Sequence, residues 1–248
     1  MRRALRPAVW LALLLAATFG MTSLRPLFAS WFPKLERPVY VEDSFAALLL
    51  AHLELVAVAG VLSGVIGMAI GIAVTRPWGM QYRGLAETVS AAGQTFPPVA
   101  VLAIAVPSMG FGPEPAVVAL LLYGLLPVVQ NTIAGLTQVS SAVLDAAVGL
   151  GFGPFRRLWL VELPLAAPLI LTGLRVSVII TIGTAAIAST VGVTTLGSPI
   201  LLGLTVDNTA YVLQGAVLIG LLALAVDSSF EAITTVFQTM PLTEFNPR

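Results

Sequence analysis

Long apolar segments decide what this chain can fold into. Of its 248 residues, 58% are hydrophobic and only 10% are charged, whereas a soluble globular protein carries about 25% charged residues. The apolar runs are near-continuous over about 20 residues, which as a helix crosses a hydrocarbon core of about 30 Å. A transmembrane β-barrel would instead alternate apolar and polar residues over segments of about 10 residues. The sequence therefore predicts an all-α, polytopic bundle of about six transmembrane helices.

The apolar runs place the predicted spans and show no second domain. One membrane domain takes up residues 1–248, and its core covers 45–237. Residues 29–45 are polar and aromatic, which predicts a loop outside the membrane with anchors at the interface. We predict spans over about residues 8–24, 46–75, 87–108, 115–136, 165–191 and 209–237.

The basic start of the chain leaves two interpretations of the first apolar run. A basic segment followed by an apolar stretch is also typical of a cleaved signal peptide. This run is at the long end for a signal core, and no clean small-x-small site closes it. A retained first helix is therefore favoured.

The arginines are distributed unevenly between alternate segments. With the N-terminus inside, the outer segments hold only Arg25, Lys34 and Arg37. The inner segments hold Arg2, Arg3, Arg6, Arg76, Arg83, Arg156, Arg157 and Arg248. Because cytoplasmic segments are enriched in Lys and Arg, we predict that both termini and the loop 140–164 are cytoplasmic.

The polar stretch 140–164 begins with the residues of a short helix. Ser140 or Ser141 is suited to cap a helix that begins near Val143. Asp145 would then lie in the first turn, where the positive end of the helix dipole favours a carboxylate. The stretch therefore predicts a helix in water between two membrane spans.

The same stretch also contains the end of that helix and the start of the next one. Ala146 and Ala147 would keep one face shallow, so that another protein can approach. Gly151, followed by Gly153-Pro154, predicts the end of the helix and a turn. Pro164 is expected to begin the next helix, where its missing N–H costs nothing. Arg156 and Arg157 are expected to make charged contacts at the membrane surface.

The spacing of this stretch resembles the cytoplasmic coupling loop of importer-type ABC permeases. The pattern is an acid-Ala-Ala triplet, three residues, a glycine, nine residues and aliphatic-x-Leu-Pro: Asp145-Ala146-Ala147, Gly151 and Val161-Glu162-Leu163-Pro164. In that family the loop forms a short helix that inserts into a cleft on the ATPase subunit. The resemblance implies ATPase-coupling roles for Asp145, Ala146, Ala147, Gly151, Arg156, Arg157, Val161 and Pro164. The family usually has Glu where this chain has Asp145, and an ordinary cytoplasmic loop is the alternative.

Four glycines in the second span share one helical face. Gly60, Gly64, Gly67 and Gly71 follow at spacings of four, three and four residues. Close backbone approach drives helix association in lipid, so this face predicts tight packing. We expect the partner to be a helix of the same chain, with a subunit interface as the alternative.

Polar residues beside prolines interrupt the third and fourth spans. Pro97 and Pro98, after Gln94-Thr95-Phe96, leave backbone carbonyls without helical partners, which is tolerated at membrane depth only against protein or water. Asn131 and Thr132 follow Pro127 in the same way. These residues predict a wall of a translocation path, and a packed kink is the alternative.

Several longer segments resemble the osmoprotectant branch of ABC permeases. The resemblance rests on Gln94, 107–112, 122–127, Asn131-Thr132, Gly183-Thr184-Ala185, Ala188-Ser189-Thr190-Val191-Gly192 and Thr195-Leu196-Gly197. It covers most of residues 45–237 and is closest to the smaller permease of betaine systems that use two different permeases. Gln130 departs from the branch, in which Arg often precedes the Asn-Thr pair.

The resemblance implies an importer of glycine betaine, choline, carnitine or related compounds in the bacterial cytoplasmic (inner) membrane. Its partners would be a cytoplasmic ABC ATPase, a second permease subunit and an extracytoplasmic substrate-binding protein. The chain itself would be a transport subunit and not an enzyme, with ATP and Mg in the partner ATPase. Thr184, Ser189 and Thr190 join the candidate path.

The sequence shows no pattern for catalysis or cofactor binding. The P-loop motif is absent, and the single lysine, Lys34, lies in a loop. Cysteine is absent and His52 is the only histidine, so neither a nucleophile–base pair nor a metal site can be assembled. The net charge of zero gives no case for nucleic acid. We expect no cofactor, metal or catalytic residue in this chain.

The remaining ionisable residues lie near predicted membrane interfaces. His52, Glu54 and Glu87 are functional candidates as intramembrane groups, but we expect them to be solvated or hydrogen-bonded. Asp227 and Glu231 are expected to form a charged inner rim.

Two other functions stay open. One is an ABC permease for methionine or another amino acid, and the other is an ion-coupled secondary transporter. The second needs ionisable or ion-binding groups near the bilayer midplane, and no span carries an obvious carboxylate there. Since clustered Trp and Tyr for a quaternary-ammonium cage are also scarce, specificity is expected mainly in the binding protein, which the outer loop 194–208 would contact.

Overall fold

The computed structural model describes residues 2–239, with side chains from residue 6 to residue 234. All regular structure in this part of the chain is helical. The helices are α1 (Arg2–Gly20), α2 (Arg25–Trp31), α3 (Phe45–Val74), α4 (Arg83–Thr95), α5 (Pro98–Met109), α6 (Pro113–Thr137), α7 (Ser141–Gly149), α8 (Pro154–Arg157), α9 (Leu163–Thr184), α10 (Ser198–Thr205) and α11 (Thr209–Thr239). Short 3₁₀ turns occupy Met21–Leu24, Met80–Tyr82 and Ala185–Val191, and a π turn occupies Leu158–Glu162. Arg248 and the side chains of Arg2 and Arg3, used to predict the orientation, lie outside the described residues.

The described helices confirm the predicted number of spans. A bent pair, Met80–Thr95 and Pro98–Met109, makes one span if its two arms are counted together. Five further segments are long and apolar enough to cross a membrane: Arg6–Trp31, Phe45–Val74, Pro113–Thr137, Pro154–Val191 and Thr209–Thr234.

The predicted third span, 87–108, is wrong as a single helix. α4 and α5 meet at 92° across a break at Phe96 and Pro97. These two residues have ψ values of 128° and 132°, the extended region into which a residue before a proline is pushed. Because Pro97 and Pro98 also withhold two backbone N–H groups, the double proline ends one helix and begins another.

Two predicted span boundaries are also wrong. The first span continues through α2 to Trp31, so residues 29–31 are helical and the loop follows them. The fifth segment begins at Pro154 and not at residue 165, because Pro154 occupies a first-turn position of a helix. Pro164 occupies a first-turn position of α9, as predicted, although α9 follows directly from the π turn.

α3, α6 and α9 form the centre of the bundle. A Cβ added at Gly67 or Gly71 would stand 2.7 or 2.6 Å from the side chains of Val128 and Thr132 on α6. The two contacts advance together along both helices, so α3 and α6 run in the same direction. The bent pair between them must therefore carry the chain back along the bundle, which makes it a broken span.

The remaining glycines of this face lie against α9. Gly60 faces Val178 at 3.5 Å, and Gly64 faces Leu174 at 3.0 Å, measured from an added Cβ. From Gly60 to Gly64 the chain moves forward along α3, whereas from Val178 to Leu174 it moves backward along α9. The two helices are therefore antiparallel. All four glycines therefore pack on helices of the same chain.

The start of α11 holds the loop that precedes α3. Gln214 is fully buried, and its side chain accepts from the Tyr40 N–H at 3.1 Å and donates to the Pro38 carbonyl at 2.7 Å. Asn208 donates to the Arg37 carbonyl at 2.9 Å. We call the half of the bundle that contains the starts of α3 and α11 the Gln214 half. The half that contains the end of α3 and the start of α9 is the Glu162 half.

Candidate functional site

α7 is a short helix whose end depends on a glycine. Ser140 holds the N-cap position, although its side chain makes no capping bond. At the other end Gly151 has a φ of +81°, its N–H donates to the Val148 carbonyl, and the Phe152 N–H donates to the Ala147 carbonyl. These two bonds make a Schellman motif, in which a left-handed residue closes the helix. The predicted helix end at Gly151 is confirmed.

Asp145 lies further along α7 than predicted. The helix begins at Ser141 and not near Val143, so no acidic residue occupies its first turn. Asp145 and Ala146 are exposed, whereas Ala147 is only 5% exposed and packs inward. Of the two alanines, therefore, only Ala146 lies on the outer surface with Asp145, and they do not form one shallow face.

Large apolar side chains in α7 and in the segment that follows it remain exposed. The exposed fractions are 53% for Val148, 77% for Leu150 and 76% for Phe155. Arg156 is exposed nearby and holds its guanidinium 4.4 Å from the centre of a phenylalanine ring. We call this surface the docking face: Asp145, Ala146, Val148, Leu150, Phe155 and Arg156. Its mixture of exposed apolar groups and a few charges is typical of a protein interface.

Glu162 lies buried between two arginines. The carboxylate accepts from Arg76 Nη2 at 2.6 Å and from Arg157 Nε at 2.9 Å, and the residue is 3% exposed. Arg157 was expected at the membrane surface but forms this internal ion pair, because the π turn brings it over Glu162. Val161 is half-buried and Pro164 is exposed on the same segment.

Gln94, Thr95, Phe96 and Pro97 lie together at the break between α4 and α5. Gln94 donates to the Tyr123 carbonyl of α6 at 3.3 Å, and the Thr95 hydroxyl donates to a carbonyl of its own helix. Phe96 and Pro97 are exposed. The polar side chains therefore satisfy backbone groups, while the outer surface of the break is apolar.

Asn131 and Thr132 lie on different sides of α6. The Asn131 side-chain amide donates to the Pro127 carbonyl at 2.8 Å. The carbonyl that Pro127 leaves without a helical donor is that of Tyr123, four residues earlier, to which Gln94 donates. The Asn131 Cβ would be 2.7 Å from a Cβ added at Gly173, so it faces α9. Thr132 is fully buried against Gly71, and its hydroxyl has no partner among the described residues.

Thr184, Ser189 and Thr190 lie in the Gln214 half, where α9 passes into a 3₁₀ turn. Ser189 Oγ lies 3.0 Å from Thr195 Oγ1 and 3.2 Å from Ser198 Oγ. Ser189 and Ser198 line a cavity of about 360 Å³. Thr184 is half-buried and Thr190 is exposed. The structure thus places the predicted path residues in three groups: at the break, on α6 and in this turn.

One pair of charged residues was missed by sequence reasoning. Arg175 on α9 and Asp227 on α11 form two parallel hydrogen bonds, both 2.7 Å long. Asp227 was assigned to a charged rim, and Arg175 was not considered. An arginine inside an otherwise apolar span was the available signal, because such a charge needs a partner. Asp227 lies within a predicted span, and its carboxylate is paired with Arg175.

The other ionisable candidates, His52 and Glu54 on α3 and Glu87 on α4, differ from one another. His52 is fully buried and not solvated, and its Nε2 lies 3.0 Å from the Ile182 carbonyl. Glu54 is exposed and, with Glu114 and mostly apolar residues, lines a cavity of about 660 Å³. Glu87 pairs with Arg83 at 3.0 Å. Among the described residues, no group of three or more metal-ligating side chains occurs.

Curated relatives resemble this chain over most of its length. The choline transport system permease protein OpuBB of Bacillus subtilis is 36% identical over 178 residues, which cover 71% of this chain and 80% of the relative. The osmoprotectant import permease protein OsmY of Salmonella typhimurium is 37% identical, over 71% of this chain and 75% of the relative.

A solved structure and a family description complete the comparison. The inward-facing MetNI methionine ABC transporter superposes with a TM-score of 0.67 at 20% identity, over 79% of this chain and 99% of the other. That identity shows a shared fold alone. Residues 63–237 match the binding-protein-dependent transport system inner membrane component. The chain therefore belongs to this family of bacterial inner-membrane transport permeases.

Proposed function

We propose that this chain is a permease subunit of an ATP-driven importer for osmoprotectants such as glycine betaine, choline or carnitine. The observation that carries the coupling part is the docking face: an exposed Asp145 on a short helix that a glycine closes, outside the long apolar helices. The cargo part is supported by the relatives, whose names specify choline and osmoprotectant transport.

The partners follow from the same proposal. A cytoplasmic ABC ATPase binds ATP and Mg and receives the docking face. A second permease subunit completes the membrane channel, and an extracytoplasmic binding protein delivers the cargo. This topology places the Glu162 half on the cytoplasmic side, with both termini, in agreement with the arginine distribution. The chain itself supplies no catalytic residue or cofactor site.

Transport in this proposal proceeds by alternating access. ATP closes the nucleotide-binding pair, and α7 transmits that movement to the helices that line the path. The Gln214 half then opens to receive cargo, and hydrolysis resets the complex.

Binding can be weak in the permease, so specificity is assigned mainly to the binding protein. The segment 194–208, which includes α10, is the surface assigned to contact it. An unchanged docking affinity after replacement of this segment would contradict that assignment.

Co-purification tests the coupling assignment. The tagged chain is extracted in mild detergent from its own membrane, and the co-purifying proteins are identified for wild type and Asp145→Arg. We expect an ATPase and a second permease with wild type, and selective loss of the ATPase in the variant. Glu36→Arg, a matched charge reversal at an exposed position in the Gln214 half, should retain all partners. A well-folded wild-type chain that purifies alone would refute the ABC assignment.

Two other functions are separated by uptake measurements. Uptake of labelled methionine without uptake of labelled choline or glycine betaine would indicate an amino-acid cargo. Uptake that survives ATP depletion but collapses with the proton gradient would instead indicate a secondary transporter. We expect uptake that requires ATP and that glycine betaine or carnitine inhibits.

A further inference from the structure

Glu162 joins two parts of the chain that are far apart in sequence. Its two carboxylate oxygens are taken by different arginines, Arg157 in α8 and Arg76 after α3. The side chains are 4% exposed for Glu162, 27% for Arg157 and 17% for Arg76. A carboxylate withdrawn from water holds its partners firmly, because separating them leaves a buried charge without compensation.

The π turn is what allows Arg157 to reach Glu162. The two residues are five positions apart, which in an α-helix separates side chains by about 140° around the axis. Over Leu158–Glu162 the bonding step is five residues, with the Leu163 N–H donating to the Leu158 carbonyl, so positions five apart stack. Pro164 favours the wider turn, because in an α-helix its ring would clash with the carbonyl four residues earlier.

Arg76 lies at the turn between α3 and the broken span. Its carbonyl accepts the N–H groups of Gly79 and Met80, both at 2.9 Å, and its own N–H donates to the Ala73 carbonyl at 3.2 Å. A side chain at Gly79 would collide with the same Ala73 carbonyl. The turn is therefore closed tightly, and a displacement of Arg76 displaces both the end of α3 and the start of α4.

We infer that Glu162 is the positioning residue that passes movement from the docking face to the turn between α3 and α4. The docking face is contiguous with α8 and the π turn, and Arg157 and Glu162 lie at the two ends of that turn. From Glu162 the contact to Arg76 leads directly to the helix that carries Gln94 at the break. This inference rests on the proposed function, since it needs an ATPase that moves α7.

Transport efficiency tests the inference in the reconstituted complex of this chain with its co-purified partners. The measured quantity is the number of choline molecules taken into proteoliposomes per ATP hydrolysed. For Glu162→Gln we expect assembly and ATP hydrolysis to persist and this ratio to fall by about tenfold, within the range of about 5- to 150-fold typical of coupling between two sites. Wild-type uptake in the same experiment tests the proposed function separately.

Three further variants distinguish transmission from simple structural support. Arg76→Gln leaves the Arg157–Glu162 pair in place but removes the contact to α3, so we expect the ratio to fall as in Glu162→Gln. Arg76→Lys keeps the positive charge, so its ratio should lie between those of Arg76→Gln and wild type. Glu87→Gln removes an ion pair of α4 whose side chains are 40% and 44% exposed, and should leave the ratio unchanged.

The movement itself can be measured, because the chain has no cysteine. Spin labels on cysteines introduced at Val143 in α7, which is 41% exposed and outside the docking face, and at Thr88 in α4 report the distance between the two helices. If α7 and α4 move together, this distance stays constant between the nucleotide-free and vanadate-trapped wild-type complexes. We expect it to change between these states in Arg76→Gln.

Three results would overturn the inference. One is a wild-type ratio in both Glu162→Gln and Arg76→Gln complexes that are fully assembled. Another is loss of the ATPase from both variants, which would mean that the ion pairs of Glu162 with Arg76 and Arg157 only build the docking face. If the wild-type complex shows no ATP-dependent uptake, the proposed function fails and the inference fails with it.

Discussion

The two halves of the bundle are held together by different chemistry. All five ion pairs among the described residues lie in the Glu162 half or at mid-bundle, including those of Glu162 and of Arg175 with Asp227. In the Gln214 half, the charged side chains that the structure describes form none. Hydrogen bonds take their place, most of them between neutral groups, centred on Gln214 and on the hydroxyls of Ser189 and its neighbours.

This difference matches what each half has to do in the proposed mechanism. A buried ion pair is costly to separate, so it keeps two segments at a fixed distance while both move. A neutral hydrogen bond contributes only about 0.5–1.5 kcal/mol, and its groups can exchange partners with water or cargo. The Glu162 half is therefore suited to transmit a movement, and the Gln214 half to open.

The largest expected effect on stability comes from the ion pair between Arg175 and Asp227. Arg175→Met leaves the Asp227 carboxylate unpaired in an apolar span, one turn from Glu231. We expect the free energy of unfolding to fall by about 2–3 kcal/mol, since a lone charge in a membrane span is costly and this pair is partly exposed. The measurement is unfolding in mixed micelles with a rising fraction of SDS.

The double variant Arg175→Met with Asp227→Leu is the control for this prediction. Because it leaves no charge unpaired, it should recover most of the loss. A double variant as unstable as the single one would show that the charges themselves, and not their pairing, stabilise this contact.

A smaller effect is expected in the Gln214 half. Gln214→Leu leaves the buried Tyr40 N–H and Pro38 carbonyl without partners, at about 1–3 kcal/mol for each group. Burial of the leucine side chain offsets about 1.5–3 kcal/mol of this, so we expect a net loss of about 1–2 kcal/mol. Thermal unfolding monitored by tryptophan fluorescence compares the loss for Gln214→Leu with the loss for Arg175→Met. A loss equal to that of Arg175→Met would remove the contrast between the two halves.

The helices were predictable because their signals are local. An apolar run of about 20 residues specifies a span wherever it occurs, and Gly151 specifies a helix end through its own φ angle. The double proline at residues 97–98 was recognised as an interruption. Its 92° angle was not predictable, because the direction of α5 after the break depends on packing against α6.

The contacts that join distant segments were not predictable in the same way. Glu162 lies in a recognised motif, but nothing local to it indicates Arg76, 86 residues away. In the sequence, Gln214 is one polar residue in an apolar helix, and nothing near it indicates its hydrogen bonds to the loop before α3. Arg175 is the exception: an arginine within a span predicts a carboxylate partner, and few carboxylates lie in the other spans.

The smallest expected effect is a pH dependence that only the Gln214 half should show. Burial, followed by the hydrogen bond that its hydroxyl donates to Asp43 at 2.8 Å, raises the pKa of Tyr40. The folded state thus favours the protonated phenol, so its stabilisation is complete below the ordinary pKa of about 10 and is lost as pH rises beyond it. Tyr40→Phe should cost about 0.5–1 kcal/mol at neutral pH and should flatten this alkaline decline. Unfolding midpoints from about pH 8 to pH 11 test this, and equal slopes for both proteins would mean that the decline arises elsewhere, since arginine pairs stay charged throughout that range.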